Sequence, residues 1–205
     1  MKNYLLLISL VVVLAGCAGK QETIRYYTID TYDLSVADTV EAVTYDPLPY
    51  SVEIVDFTVS GPYNDNRIAL RTHTNELQYF HFHHWAEMPA SMIRFFTWRV
   101  ISETGLFAHA ALRMSATIPD YLITGATHGI ERIDMDNDEA GARVSGGFEL
   151  VYVRDGKTIV SHPYSTVVPF AANAPMNHFA REISDILYTE LHAIVRLIAN
   201  ELDRK

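Results

Sequence analysis

A two-layer α+β fold, in which a mixed and largely antiparallel sheet is packed by two long helices, is predicted by three features of this chain. Two segments repeat apolar residues at steps of three and four, as a helix half-buried on a core does. Around them lie runs rich in aromatic and β-branched residues, several of them alternating apolar and polar, which is the signature of strands. Clusters of Gly, Pro, Asn and Asp divide the runs. The chain is 49% hydrophobic and carries nine Phe, twelve Tyr and two Trp, ample for one well-filled core.

Taken in order, Tyr26-Tyr27-Thr28-Ile29-Asp30-Thr31-Tyr32 reads as a first strand. Residues 33–49 are acidic, end in Pro47-Leu48-Pro49 and read as a loop. Tyr50 to Ser60 alternates, with Val52, Ile54, Asp56 and Thr58 on one side and Val55, Phe57 and Val59 on the other. Apolar residues on both sides predict a central strand. After the turn cluster Gly61-Pro62-Tyr63-Asn64-Asp65-Asn66 come two short strands, Arg67–Thr72 and Gln78–Phe82. Pro89 suits the first turn of a helix whose stripe is Met92, Phe95, Phe96, Val100 and Ile101, and Gly105 suits its end. A strand over Leu106–Ile118 and a long meander follow, over Tyr121–Asp134, Ala142–Arg154 and Thr158–Val168, with Asp155-Gly156 as a two-residue hairpin turn. From Met176 to about Leu202, Phe179, Ile183, Ile186, Leu187, Leu191, Ile194, Val195, Ile198 and Leu202 share one stripe. A helix of that length runs roughly 40 Å.

The amino-terminal end has its own grammar. Lys2 opens it, Tyr4 to Val13 is almost wholly apolar, and Leu14-Ala15-Gly16 leads to Cys17, the single cysteine. The apolar run is short for a bilayer core that needs about 20 residues, so residues 1–16 read as a secretory signal rather than a span. A cysteine after Leu-Ala-Gly resembles the bacterial lipobox, in which the thiol is acylated and the chain cut in front of it. The expected organisation is therefore a signal over 1–16, a lipidated tether over 17–25, and one domain over 26–205. Residues 18–25 extend to at most about 26–29 Å, which keeps the domain near its membrane. Ala18, rather than Asp, follows the cysteine. That points to an address at the periplasmic face of an outer membrane.

Charge and cysteine usage narrow the function. The 25 acidic and 16 basic residues give a formal charge of −9, and the signal contributes only Lys2, so the remainder stands at −10. Nucleic acid calls for basic patches, so it is not an expected partner. With Cys17 given to lipid, no cysteine is left for a disulfide, and stability must come from the core.

Two segments resemble chemistry. In His81-Phe82-His83-His84-Trp85, strand alternation would set His81 and His83 on one face. A zinc enzyme would require a third protein ligand and an open position, yet no H-E-x-x-H spacing is present. Imidazoles at a strand end bonded to backbone or water are the reading preferred. The acidic run Asp134-Met135-Asp136-Asn137-Asp138-Glu139 fails the calcium-loop pattern, because position 6 is Glu139 and position 12 is Ser145. It reads as a solvated hairpin tip. There is no nucleophile elbow, P-loop or dinucleotide fingerprint. No cofactor, no metal and no catalytic residue are expected.

Several of these residues together resemble a known family. The lipobox, then Tyr26-Tyr27-Thr28-Ile29, then Val52-Glu53-Ile54-Val55-Asp56-Phe57 ahead of Tyr63 and Arg67-Ile68, is similar to the ABC-type transport auxiliary lipoproteins, the PqiC-like family. The sharpest part is Leu77-Gln78-Tyr79-Phe80 leading into His84-Trp85-Ala86-Glu87-Met88-Pro89, followed by a helix that closes on Gly105-Leu106-Phe107. The likeness is sharp over about residues 50–107 and one of kind elsewhere. It implies a non-enzymatic periplasmic lipoprotein that serves an intermembrane lipid transporter, with an MCE-domain protein and ABC transporter components as partners, membrane attachment through Cys17, and self-association left open.

In that setting Trp85, Met88 and Pro89 form an expected partner surface, with Trp98 beside them, because aromatic residues and Met concentrate binding energy. The alternative for Trp85 and Trp98 is core. Three classes stay open: the tethered transport subunit, a lipoprotein that itself holds a lipid or other apolar ligand, and a His-dependent zinc enzyme.

Overall fold

The computed structural model describes residues 22–30, 45–74 and 76–204. Cys17 and the signal lie outside the described residues, as does most of the acidic loop. Among the described residues the order is β1 (Arg25–Tyr27), β2 (Leu48–Ile54), β3 (Thr58–Val59), a single 3₁₀ turn (Gly61–Tyr63), β4 (Arg67–Arg71), β5 (Leu77–Trp85), α1 (Pro89–Thr104), β6 (Phe107–Ala111), β7 (Tyr121–Asp134), β8 (Glu139–Tyr152), β9 (Lys157–Ala171) and α2 (Met176–Leu202).

The nine strands make one mixed sheet, and β7 is its spine. Along one side β7 pairs antiparallel with β8 over nearly its whole length, and β8 pairs in the same way with β9. Along its other side it meets three short strands in turn, all parallel: β2 at Tyr121–Ile123, β3 at Ala126–Thr127 and β4 at Glu131–Ile133. From β2 the sheet continues to β6, and from β4 to β5 and β1. The two long ladders and the short β4–β5 ladder are antiparallel and the remaining short ones parallel, so the predicted fold class stands. Both helices cover one face. α1 lies over β2, β3 and β6, α2 lies over β8 and β9, and the two touch.

The core joins that face to the helices, with Ile54, Ile123, Phe148, Phe179, Ile183, Leu187 and Leu191 among its fully buried members. Gly105 closes α1 at φ +67, a left-handed conformation that favours glycine. The predicted strand over 50–60 is instead broken between Ile54 and Thr58. The break lets Val52, Ile54 and Phe57 all turn inward, where strict alternation would separate Phe57 from the other two. The Phe57 ring occupies the space a Cβ at position 125 would need, 2.4 Å from it, and meets Phe148 edge-on at 5.7 Å. Gly125 is thus the socket for Phe57.

Other boundaries differ from expectation too. β1 covers Arg25–Tyr27, with residues 28–30 of the predicted first strand outside it, and β5 runs on to Trp85 rather than stopping at Phe82. The strand over 106–118 ends at Ala111, because the Met114 N–H is taken by the Glu53 carboxylate and the chain leaves the sheet. β8 begins at Glu139, three residues early, since Asn137 and Asp138 both take positive φ and turn the chain at once. The hairpin at Asp155-Gly156 spans residues 153–156 rather than two, with the Gly156 N–H donating to the Tyr152 carbonyl.

On the face away from the helices a buried charge network pins the 3₁₀ turn to β7. The Glu131 carboxylate is fully buried and accepts from Tyr63 Oη at 2.8 Å, Arg71 Nε at 3.1 Å and Arg143 Nη1 at 3.0 Å. Such a carboxylate is tolerable only because it is paired and hydrogen-bonded. Burial and the neighbouring Glu131 both push the Tyr63 phenol above its ordinary value.

Among the described residues no strand pairs with the outer edge of the fifteen-residue β9, and Pro163 and Pro169 interrupt it. Six positions apart, both are exposed opposite Gly147 and Gly141, and each removes a donor from the edge. Among the described residues the other strands paired on one side only are the short β1, β3 and β6.

Candidate functional site: a cleft beside the first helix

α1 carries more apolar residues than its inner face can use. Met92, Ile93, Phe96, Val100 and Ile101 are buried against the sheet. Phe95 is 49% exposed, Trp98 is half-buried, and their rings lie 5.3 Å apart. Met88, just before the helix, is 40% exposed. Positions 88, 91, 95 and 98 follow the helical repeat, so they form one outward stripe. Trp98 is held in place by Nε1, which donates to the Ala110 carbonyl at 3.2 Å.

Beside this stripe a cleft of about 520 Å³ opens between α1, the β2–β3 break and the segment that follows β1. Its apolar lining comes from Ile29, Phe57, Met92, Phe95 and Leu112, and Asp56, Glu87 and Arg94 stand at its polar positions. Arg94 is committed to the structure: Nε donates to the Ile54 carbonyl at 2.9 Å, Nη2 to the Leu112 carbonyl at 2.5 Å, and Nη1 pairs with Asp56 at 2.8 Å. The guanidinium therefore braces the strand break that creates the cleft. Asp56 and Glu87 are both exposed, so the charge left facing solvent is negative.

The amino-terminal segment leads past this cleft. Thr28 and Ile29 line it, and the Ile29 side chain is buried. The Asp30 N–H donates to Ser184 Oγ of α2, and its carboxylate pairs with Arg99 of α1. The segment is thereby fastened to both helices.

The expected partner surface needs correction. Trp85 is 1% exposed, and its ring lies 6.0 Å from Phe179 in the core. Pro89 is buried as the first residue of α1. Neither side chain can meet a partner, and of that trio only Met88 is at the surface. Alternation down β5 explains Trp85, because the register that pairs it with Tyr27 points it toward the helices. Phe95, expected in the buried stripe, instead faces out.

The histidines are not drawn together into a site. His81 is exposed with its ring against Phe82, while His83 is half-buried with Nδ1 2.8 Å from Tyr27 Oη. Burial, then the Arg25 charge, lowers the His83 pKa. His84 Nε2 lies 3.2 Å from the His81 carbonyl. Among the described residues no group of three or more His, Cys, Asp or Glu is placed to hold a metal, and no helix is long and apolar enough to cross a membrane.

No family model matches this chain, and no curated protein does. Solved structures do. A Xanthomonas campestris protein of the DUF330 family superposes with a TM-score of 0.67 at 18% identity, covering 89% of this chain and 99% of its own. An uncharacterised protein superposes with a TM-score of 0.58 at 14% identity, covering 77% of this chain and 99% of its own. A minor lipoprotein of Acinetobacter baumannii aligns over 72% of this chain and 93% of its own at 8% identity, with a TM-score of only 0.39. The first two likenesses establish that this two-layer α+β fold, essentially whole, is one that other proteins adopt.

Proposed function

We propose that this protein is a lipid-anchored envelope lipoprotein at the periplasmic face of the outer membrane, acting without catalysis as the docking subunit of an ABC/MCE-type intermembrane lipid transporter. The observation that carries the reading is the stripe of exposed Met88 and Phe95 with half-buried Trp98 beside the cleft, in a domain whose amino-terminal segment is fastened alongside. Monomeric proteins seldom leave a contiguous aromatic patch uncovered without a use for it. The patch falls within residues 50–107, where the resemblance to the transport auxiliary lipoproteins is sharpest, and the whole-chain likeness to the DUF330 protein is consistent with it.

Docking here would proceed by capture. Acyl chains on Cys17, each methylene worth about 0.8 kcal/mol, hold the domain at a leaflet. The short tether restricts its search, and the α1 stripe meets the transporter. The test is complementation by the full chain: Cys17→Ser and Phe95→Glu are each expected to yield folded protein that no longer supports envelope integrity. Full complementation by Cys17→Ser overturns the anchoring, and full complementation by Phe95→Glu overturns the docking face.

The cleft itself favours a second reading, in which the protein holds an apolar ligand directly, because its volume and apolar floor would take part of an acyl chain. Stoichiometric lipid found by mass spectrometry after removal of the anchor, and lost in Met92→Trp, would favour that reading.

A further inference from the structure

We infer that the α1 cleft takes a segment of a partner polypeptide that is apolar on one side and basic beside it, laid along α1 as an amphipathic helix. This rests on the docking reading above and adds to it the chemistry of the partner.

Three observations lead there. The first is shape: Met88, Phe95 and Trp98 run along two to three turns of α1, about 15 Å, so the apolar surface is elongated rather than a compact pocket. A helix laid beside a helix matches such a surface through side chains at i, i+3, i+4 and i+7. The second is the cleft floor. Phe57, Met92 and Leu112 offer an apolar recess beside the exposed Phe95 ring, the arrangement in which one large guest side chain concentrates binding energy.

The third is charge. Among the described residues the only cation lining the recess is Arg94, and its three donor groups are held by two backbone carbonyls and Asp56. The Glu87 carboxylate and the solvent-facing side of Asp56 remain, on a chain of formal charge −9. An acidic guest would meet like charge here, whereas lysine or arginine flanking the apolar anchor would meet opposite charge, which governs both encounter and choice of partner.

The experiment uses the full acylated chain in nanodiscs of phosphatidylcholine, whose neutral surface adds no charge attraction for a basic peptide, and the heat of each peptide with empty nanodiscs is subtracted. Two synthetic helical peptides share leucines at i, i+3, i+4 and i+7, and carry either lysines or glutamates on the flanks. Calorimetry is expected to show the lysine peptide binding at least about tenfold more tightly than the glutamate peptide, a difference of about 1.4 kcal/mol. Phe95→Ala should weaken the lysine peptide by at least as much, and Glu87→Lys should erase the preference. Equal binding of both peptides, binding of neither, a recess already filled by lipid, or self-association that Phe95→Ala abolishes would each overturn the inference. If it fails while Phe95→Glu still abolishes envelope support, only the partner chemistry is wrong. If Phe95→Glu complements fully, the docking reading has fallen as well.

Discussion

The two helices of this protein solve the same problem differently. α2 carries nearly all its large apolar side chains on one stripe, and β8, β9 and α1 absorb them, leaving only Leu197 exposed. α1 has an inner face just as dry, yet Phe95, and in part Trp98, are left on its outer side. The first pattern is complete within the chain. The second is unfinished, because the sheet can cover only one side of a helix whose apolar residues extend around two. A helix fully satisfied by its own fold supplies stability, whereas one with apolar surface to spare supplies a place for something else.

That contrast can be tested, beginning with the largest effect. Phe179→Ala on α2 and Phe96→Ala on the inner face of α1 each remove a ring that is essentially inaccessible. Each should cost about 3–5 kcal/mol, measured as a fall in denaturant midpoint at constant slope. Near-equal losses would confirm that the two inner faces are equivalent and that the difference lies outside.

An intermediate effect should come from acid. His192 of α2 is buried against Tyr188, with rings 4.4 Å apart, and burial followed by the Arg196 charge lowers its pKa. With a folded value below the unfolded one near 6.5, the unfolded chain binds the proton more readily. Its contribution to stability is then full above about pH 6.5 and is lost as pH falls through the folded value. Thermal melts from pH 8 down to pH 5 should show this decline, and His192→Phe should flatten it in part, since His83 is shifted in the same direction.

The smallest effect on stability is the most telling. Phe95→Ala and Leu197→Ala both truncate exposed side chains and should each change stability by no more than about 0.5 kcal/mol. Only Phe95→Ala should impair envelope support. Equal behaviour of the two in that assay would erase the distinction between the helices.

What could be read from the sequence follows from whether a signal was local. α2 was legible almost to the residue, because Phe179 through Leu202 repeats at three and four without interruption and Pro175 precedes it. The limits of α1 were equally plain from Pro89 and Gly105. The break after Ile54 was not, since it depends on Phe57 fitting over Gly125 about seventy positions away. Glu131 sits in an alternating strand and gave no sign of its burial, which Tyr63, Arg71 and Arg143 bring about from other elements.

The docking face failed for the same reason. Trp85 and Phe95 are both large aromatics next to the strand–helix junction, and only the register of β5 and the rotation of α1 decide which is inside. The resemblance drew attention to the strand–helix corner. It could not say which side chain faces out.

The prolines on β9 gain meaning once the domain is considered among its neighbours. Under the proposed anchoring, the copies of this domain share a plane, where each meets the others far more often than free diffusion in the same volume would allow. A bare fifteen-residue strand border in that crowd would invite sheet-to-sheet stacking into aggregates. Pro163 and Pro169 spoil that border, which disfavours backbone pairing between copies and, on the proposed docking reading, leaves the helical layer as the surface through which company is chosen.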